Sequence, residues 1–172
     1  MKQKRGKKHT AKLDPDSSLR KHLVDLLNGG NAHVRIFDAL EHFPSEKRGV
    51  FGKGLPHTAW QLLEHMRLAQ WDILEFSRDP KHVSPEFPAG YWPTSPSPES
   101  DAAWNKSLRA LRRDLQSMIK LISSAKAGLH APLPWGGGQT LLREALLVAD
   151  HNAYHLGQLV DLKRALGIWH ES

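Results

Sequence analysis

The chain has 172 residues, 40% of them hydrophobic and 24% charged, which is enough for one globular domain and too few for two ordinary ones. It has no cysteine, which excludes a disulfide scaffold, a thiolate metal site, an iron–sulfur centre and a cysteine nucleophile. The net charge of +6 points toward polyanions, but Lys2, Lys4, Arg5, Lys7 and Lys8 carry five of those charges, so the rest of the chain is nearly neutral.

Residues 1–13 therefore read as a disordered basic arm and residues 14–172 as a single domain with no specific nucleic-acid partner. The basic start runs into Lys12-Leu13-Asp14-Pro15-Asp16, where an export signal needs an apolar stretch. No segment approaches the roughly 18 consecutive apolar residues of a membrane span. A cytoplasmic protein without membrane contact is expected.

The first helix is predicted to start at Asp14-Pro15, with Asp14 as N-cap and the proline where its missing N–H costs nothing. Leu19, Leu23, Leu26 and Leu27 follow at helical spacing. Gly29-Gly30 interrupts the pattern, which resumes with Val34, Ile36, Phe37 and Leu40 and stops at Pro44. One broken helix or two short ones fit equally well. Thr58-Ala59-Trp60-Gln61 is a capping box that opens a second helix, running to about Ser77. Its apolar face is Leu62, Leu63, Met66, Ala69, Ile73 and Leu74. Residues 79–97 contain Pro80, Pro85, Pro88, Pro93 and Pro96, which excludes a helix and disfavours a strand. A third helix is predicted from Ser97-Pro98-Glu99 to about Ala127, with Gly128 as its stop. A fourth runs from about Thr140 to Leu166 and ends at Gly167. Strand signals are nearly absent. The pattern predicts an all-α protein, a four-helix bundle with a long proline-rich crossover between helices 2 and 3.

Eleven histidines are many for this length. His9, His22, His42, His82 and His170 read as tail, solvent-face or chain-end residues. The fourth helix carries Asp150-His151-Asn152-Ala153-Tyr154-His155, whose two histidines are four apart and share a face. That spacing suits two adjacent positions on one metal ion. It is not the zincin motif, because Asn152 stands where that motif has its glutamate. On the second helix His65 faces inward, either as a hydrogen-bonded core histidine or as a third ligand. Three unpaired imidazoles in one small core are costly, and a shared cation gives each a partner. Three neutral imidazoles leave the charge of a divalent ion intact and a coordination position open. Zinc or nickel suits such a set best, with iron or manganese as alternatives. Asp72, Asp150, Tyr154 and Gln158 fall near the same faces. They are candidates to orient the imidazoles or to take part in catalysis. Trp60, Trp71, Tyr91 and Trp92 are candidates for a substrate pocket, or ordinary core aromatics.

The chain resembles the DinB-like family of metal-binding four-helix bundles over about residues 16–167. The resemblance rests on Gly29-Gly30-Asn31-Ala32-His33-Val34, on Leu55-Pro56-His57-Thr58-Ala59-Trp60-Gln61-Leu62-Leu63-Glu64-His65, on Ala69-Gln70-Trp71-Asp72-Ile73-Leu74, and on His151-Asn152-Ala153-Tyr154-His155-Leu156-Gly157-Gln158-Leu159. The family pattern is one histidine on the second helix and a HxxxH pair on the last, which His65, His151 and His155 match. The resemblance implies unusual helix connectivity and a homodimer. It also implies a divalent metal and, in some relatives, a low-molecular-weight thiol cosubstrate. Characterised relatives include thiol S-transferases and a mycothiol-dependent maleylpyruvate isomerase. A thiol S-transferase acting on a small electrophile is the leading expectation. Metal-dependent hydrolysis of a small molecule, with Asp72, Asp150 or Glu64 as base, is the first alternative. A non-catalytic metal- or ligand-binding stress protein is the second.

Overall fold

A computed structural model describes residues 14–169. The expected basic arm, His9 and His170 lie outside the described residues. Among the described residues five α-helices form: α1 (Ser17–Asn28), α2 (Ile36–Leu40), α3 (Ala59–Arg78), α4 (Asp101–Ser123) and α5 (Leu141–Ala165), with short 3₁₀ turns at Ser45–Lys47 and, inside the proline-rich segment expected to hold no helix, at Ala89–Tyr91. Among the described residues there is no strand, only an isolated bridge between Pro132 and Thr140. Among the described residues no helix is long and apolar enough to cross a membrane.

The break after α1 needs two glycines, because Gly29 and Gly30 both take positive φ, at 67° and 87°. The chain therefore makes two short helices rather than one bent one. Thr58 caps α3 as a capping box: its hydroxyl accepts from Gln61 N at 3.2 Å, and Gln61 Oε1 accepts from Thr58 N at 3.1 Å. The same hydroxyl donates to Pro96 O at 2.6 Å, tying the end of the proline-rich segment to the start of α3.

The predicted ends differ at three places. Asp14 is not the N-cap of α1. Its carboxylate accepts instead from Asp16 N and from Arg20 Nε at 2.8 Å, and the helix starts at Ser17. The third helix starts at Asp101 behind Ser100, not at Ser97, because Ser95 and Ser97 are tied into a local turn through the Ser95 hydroxyl. It ends at Ser123 rather than near Ala127. The chain turns there so that the buried Arg20 guanidinium reaches two carbonyls, Ile122 O and Ala127 O, each at 2.7 Å. A cation at the C-terminal end of α4 also complements the helix dipole.

Two apolar clusters set the helix directions. One joins Ala59, Leu62 and Met66 of α3 to Trp104 of α4 and Leu159 and Leu162 of α5. The other joins Ile73 and Leu74 of α3 to Met118 and Ile122 of α4, Leu141 and Val148 of α5, and Leu23 and Leu27 of α1. So α3 and α4 run parallel and α5 runs against them; α1 does too, because Arg20 near its start reaches Ile122 O at the end of α4. α3 packs on α4 and α5, and α1 packs on the same two helices. The long helices α1 and α3 thus lie across a diagonal. Because α3 and α4 are parallel, residues 79–100 must return the length of α3, about 30 Å. The proline-rich crossover is that return strap.

Arg20 joins α1 to the end of α4 and the turn after it with two hydrogen bonds to main-chain carbonyls, and Asp14 on its own side of the chain holds its Nε. Arg20→Met is expected to lower stability by about 2 kcal/mol or more, read as a shift of the urea midpoint with unchanged slope.

Candidate metal centre

Between the two apolar clusters lies a polar layer. Gln70 on α3 is almost wholly buried; its Nε2 donates to Leu111 O of α4 at 2.7 Å, and its Oε1 accepts from Asn152 Nδ2 of α5 at 2.9 Å. This fixes α3, α4 and α5 at one height. One to two turns away, His65 of α3 meets His151 and His155 of α5. Their rings lie 4.5–4.8 Å apart between centroids, and one nitrogen from each falls within 4.8 Å of the others.

Hydrogen bonds set the ring orientations. His65 Nδ1 lies 3.0 Å from Tyr91 O, an oxygen that can only accept, so Nδ1 carries the proton and Nε2 the lone pair. His155 Nδ1 donates to Gln158 Oε1 at 3.0 Å, which leaves its Nε2 free as well. His65 Nε2 and His151 Nε2 face each other at 3.0 Å. Burial is the main cause that holds His65 and His151 low, at about 4, and it lowers His155 and His57 too. At neutral pH the set is three uncharged imidazoles, two with fixed tautomers. Such a set could hold a divalent metal ion, since a ligand nitrogen must be unprotonated.

The strap completes the surroundings. Trp92 lies flat on His65, at 3.9 Å between centroids and 4° between planes, and also stacks with His57 at 4.2 Å. Tyr91 OH donates to Asp72 Oδ2 at 2.7 Å, and Asp72 Oδ1 pairs with His82 Nε2 at 2.6 Å. Burial, with the Asp72 carboxylate beside it, pushes the Tyr91 phenol up to about 12, so it keeps its proton.

The other predicted residues divide. Gln158 orients His155. Asp72 does not touch an imidazole of the cluster with its carboxylate; both oxygens serve the strap. Asp150 is exposed and bonded to none of the three. Tyr154 is 66% exposed, edge-on to His155 at 4.9 Å. Tyr91 and Trp92 stand at the cluster. Trp60 instead borders a separate cavity of about 440 Å³ with Glu64, Arg67 and Lys106, and Trp71 packs edge-on to His82. Sequence reasoning missed His82, taken as solvent-facing, and the stacking of His57. Neither has a periodic signal, because the partner of each comes from the strap or packs against it.

The fold and this cluster define a helical bundle with a three-histidine candidate metal centre. The chain matches the DinB superfamily over residues 8–159 and belongs to it. Comparison with curated proteins and with solved structures gave no match.

The low native pKa values of His65 and His151 have a stability consequence. Unfolded, each takes up a proton near pH 6.5; folded, each resists until about pH 4. The unfolded chain therefore binds more protons in that window, and stability falls as pH falls through it. The thermal midpoint of the metal-free protein is expected to drop between pH 6.5 and 4, with a smaller drop in His151→Leu.

Proposed function

We propose that this protein is a cytoplasmic metal-dependent enzyme that transfers a low-molecular-weight thiol to a small electrophile. The observation that carries the reading is the convergence of His65 Nε2, His151 Nε2 and His155 in one buried seam, with the outer nitrogens of two rings engaged. His65, His151 and His155 would hold the ion, zinc or nickel by the chemistry of three imidazoles, with iron or manganese as the alternatives. An ion there supplies a Lewis-acid position at which a thiol loses its proton near neutral pH. The chain's own groups do the rest. Gln158 and the Tyr91 carbonyl hold two rings in register. Trp92 covers His65 and keeps water from that side of the ring. Tyr154, exposed at the rim, offers an aromatic face and a phenol to an incoming small molecule. The thiol and the homodimer are supported by the family resemblance.

Hydrolysis has less support, because it needs a carboxylate base at the site. Glu64 is held by Arg67 through two bonds of 2.8 Å, and Asp72 has both oxygens occupied. Asp150 is exposed.

The thiol reading is tested with cobalt-loaded protein. Adding a small thiol is expected to produce a sulfur-to-cobalt charge-transfer band, and a panel of small electrophiles is expected to yield conjugates. A spectrum that no thiol perturbs removes the mechanism. A band without conjugates in any case points to a binding protein.

A further inference from the structure

We propose that Asp72, acting through Tyr91, is a positioning residue for the three-histidine centre: it clamps the proline-rich strap so that the strap fixes the tautomer of His65 and lays Trp92 over its ring. The inference rests on the reading of the three histidines as a metal centre and extends it to the segment that returns from α3 to α4.

Asp72 lies two turns after His65 on α3 and is buried. A carboxylate in that position destabilises the fold unless its oxygens are engaged. Both are, and both by the strap: His82 Nε2 reaches Oδ1 at 2.6 Å and Tyr91 OH reaches Oδ2 at 2.7 Å. One side chain thus pins residues 82–91 at both ends. Short hydrogen bonds to an ionised acceptor are among the stronger ones available to a loop.

Tyr91 then divides its two ends. Its phenol answers to Asp72, while its main-chain carbonyl accepts from His65 Nδ1 at 3.0 Å. The next residue is Trp92, nearly parallel to the His65 ring at 3.9 Å. The bond and the stack together fix both rotation and tautomer of a ring that α3 alone leaves free to turn. Asp72 does not contact His65 with its carboxylate, so its effect travels through the strap. Metal-ligating histidines generally hold their second nitrogen on a carboxylate or carbonyl. Here the carbonyl lies at the end of a short 3₁₀ turn on the strap, Ala89–Tyr91, and Asp72 holds that turn through the Tyr91 hydroxyl.

A loop anchor with no bearing on the centre would leave the His65 ring unchanged, and that difference is measurable without metal or activity. The experiment follows the His65 ring by long-range nitrogen–proton correlations in metal-free protein, then titrates the same samples with zinc. The proteins are wild type, Tyr91→Phe, Asp72→Ala and Asp72→Asn. Wild type is expected to show the Nδ1–H tautomer alone. Tyr91→Phe and Asp72→Ala are expected to populate both tautomers and to bind zinc about 10-fold more weakly. Asp72→Asn keeps an oxygen for the Tyr91 hydroxyl and is expected to recover most of the wild-type behaviour. Tyr91→Phe removes one hydroxyl only, and it decides the matter should Asp72→Ala not fold. An unchanged His65 tautomer in Tyr91→Phe and Asp72→Ala overturns the proposal. A shifted tautomer in proteins that bind no zinc, wild type included, upholds the positioning and overturns the metal reading instead.

Discussion

Three imidazoles meet in the seam between α3 and α5, and hydrogen bonds from the strap and from α5 support that meeting. Uncharged nitrogens brought together away from water lose free energy unless each finds a partner. Two of the outer nitrogens find one in Tyr91 O and Gln158 Oε1. The inner ones face one another. The seam exists because α3 and α5 are antiparallel neighbours, which places His65 opposite the HxxxH pair. Gln70 and Asn152 lock the same helices at nearly the same height with a neutral bond that does not compete for a cation.

The parallel pairing of α3 and α4 has a second consequence. It obliges the chain to make a return of about 30 Å, and the return passes over the histidines. Its prolines limit regular structure to one short 3₁₀ turn, Ala89–Tyr91, which leaves some of its carbonyls to side chains. The Tyr91 carbonyl is one of these. Topology thus supplies a wall that four helices alone lack. The same strap stacks Trp92 on His65 and closes that side of the cluster.

Much of this was legible in the sequence, and the rest was not for physical reasons. The cap at Thr58, the helix start near Thr140 and the glycines after α1 and α5 are local chemistry and mark their helix ends within a residue or so. His151 and His155 are legible because i,i+4 spacing is geometry, and His65 because apolar neighbours place it inward. The end of α4 was not, because Arg20 lies far away in sequence and draws the turn to itself. Helical spacing puts Asp72 near the face of His65, but the use of both its oxygens on the strap depends on a tertiary path with no periodicity. The same holds for His82, which looked like a surface histidine, and for His57. Of the four aromatics, Tyr91 and Trp92 reach the cluster because they ride on the strap. Trp60 and Trp71 sit on other faces of α3, a difference that an inward-or-outward reading of tryptophan does not resolve.

The central claim is that His65, His151 and His155 hold one ion. It is tested most directly by elemental analysis of untagged protein, purified without a metal column, beside a His151→Ala, His155→Ala double variant. The account predicts about one divalent ion per chain in the wild type, the single site that three ligands make, and none in the folded variant. Absence of stoichiometric metal from the wild type, even after reconstitution with zinc or nickel, would contradict it and reduce the three histidines to a buried polar cluster.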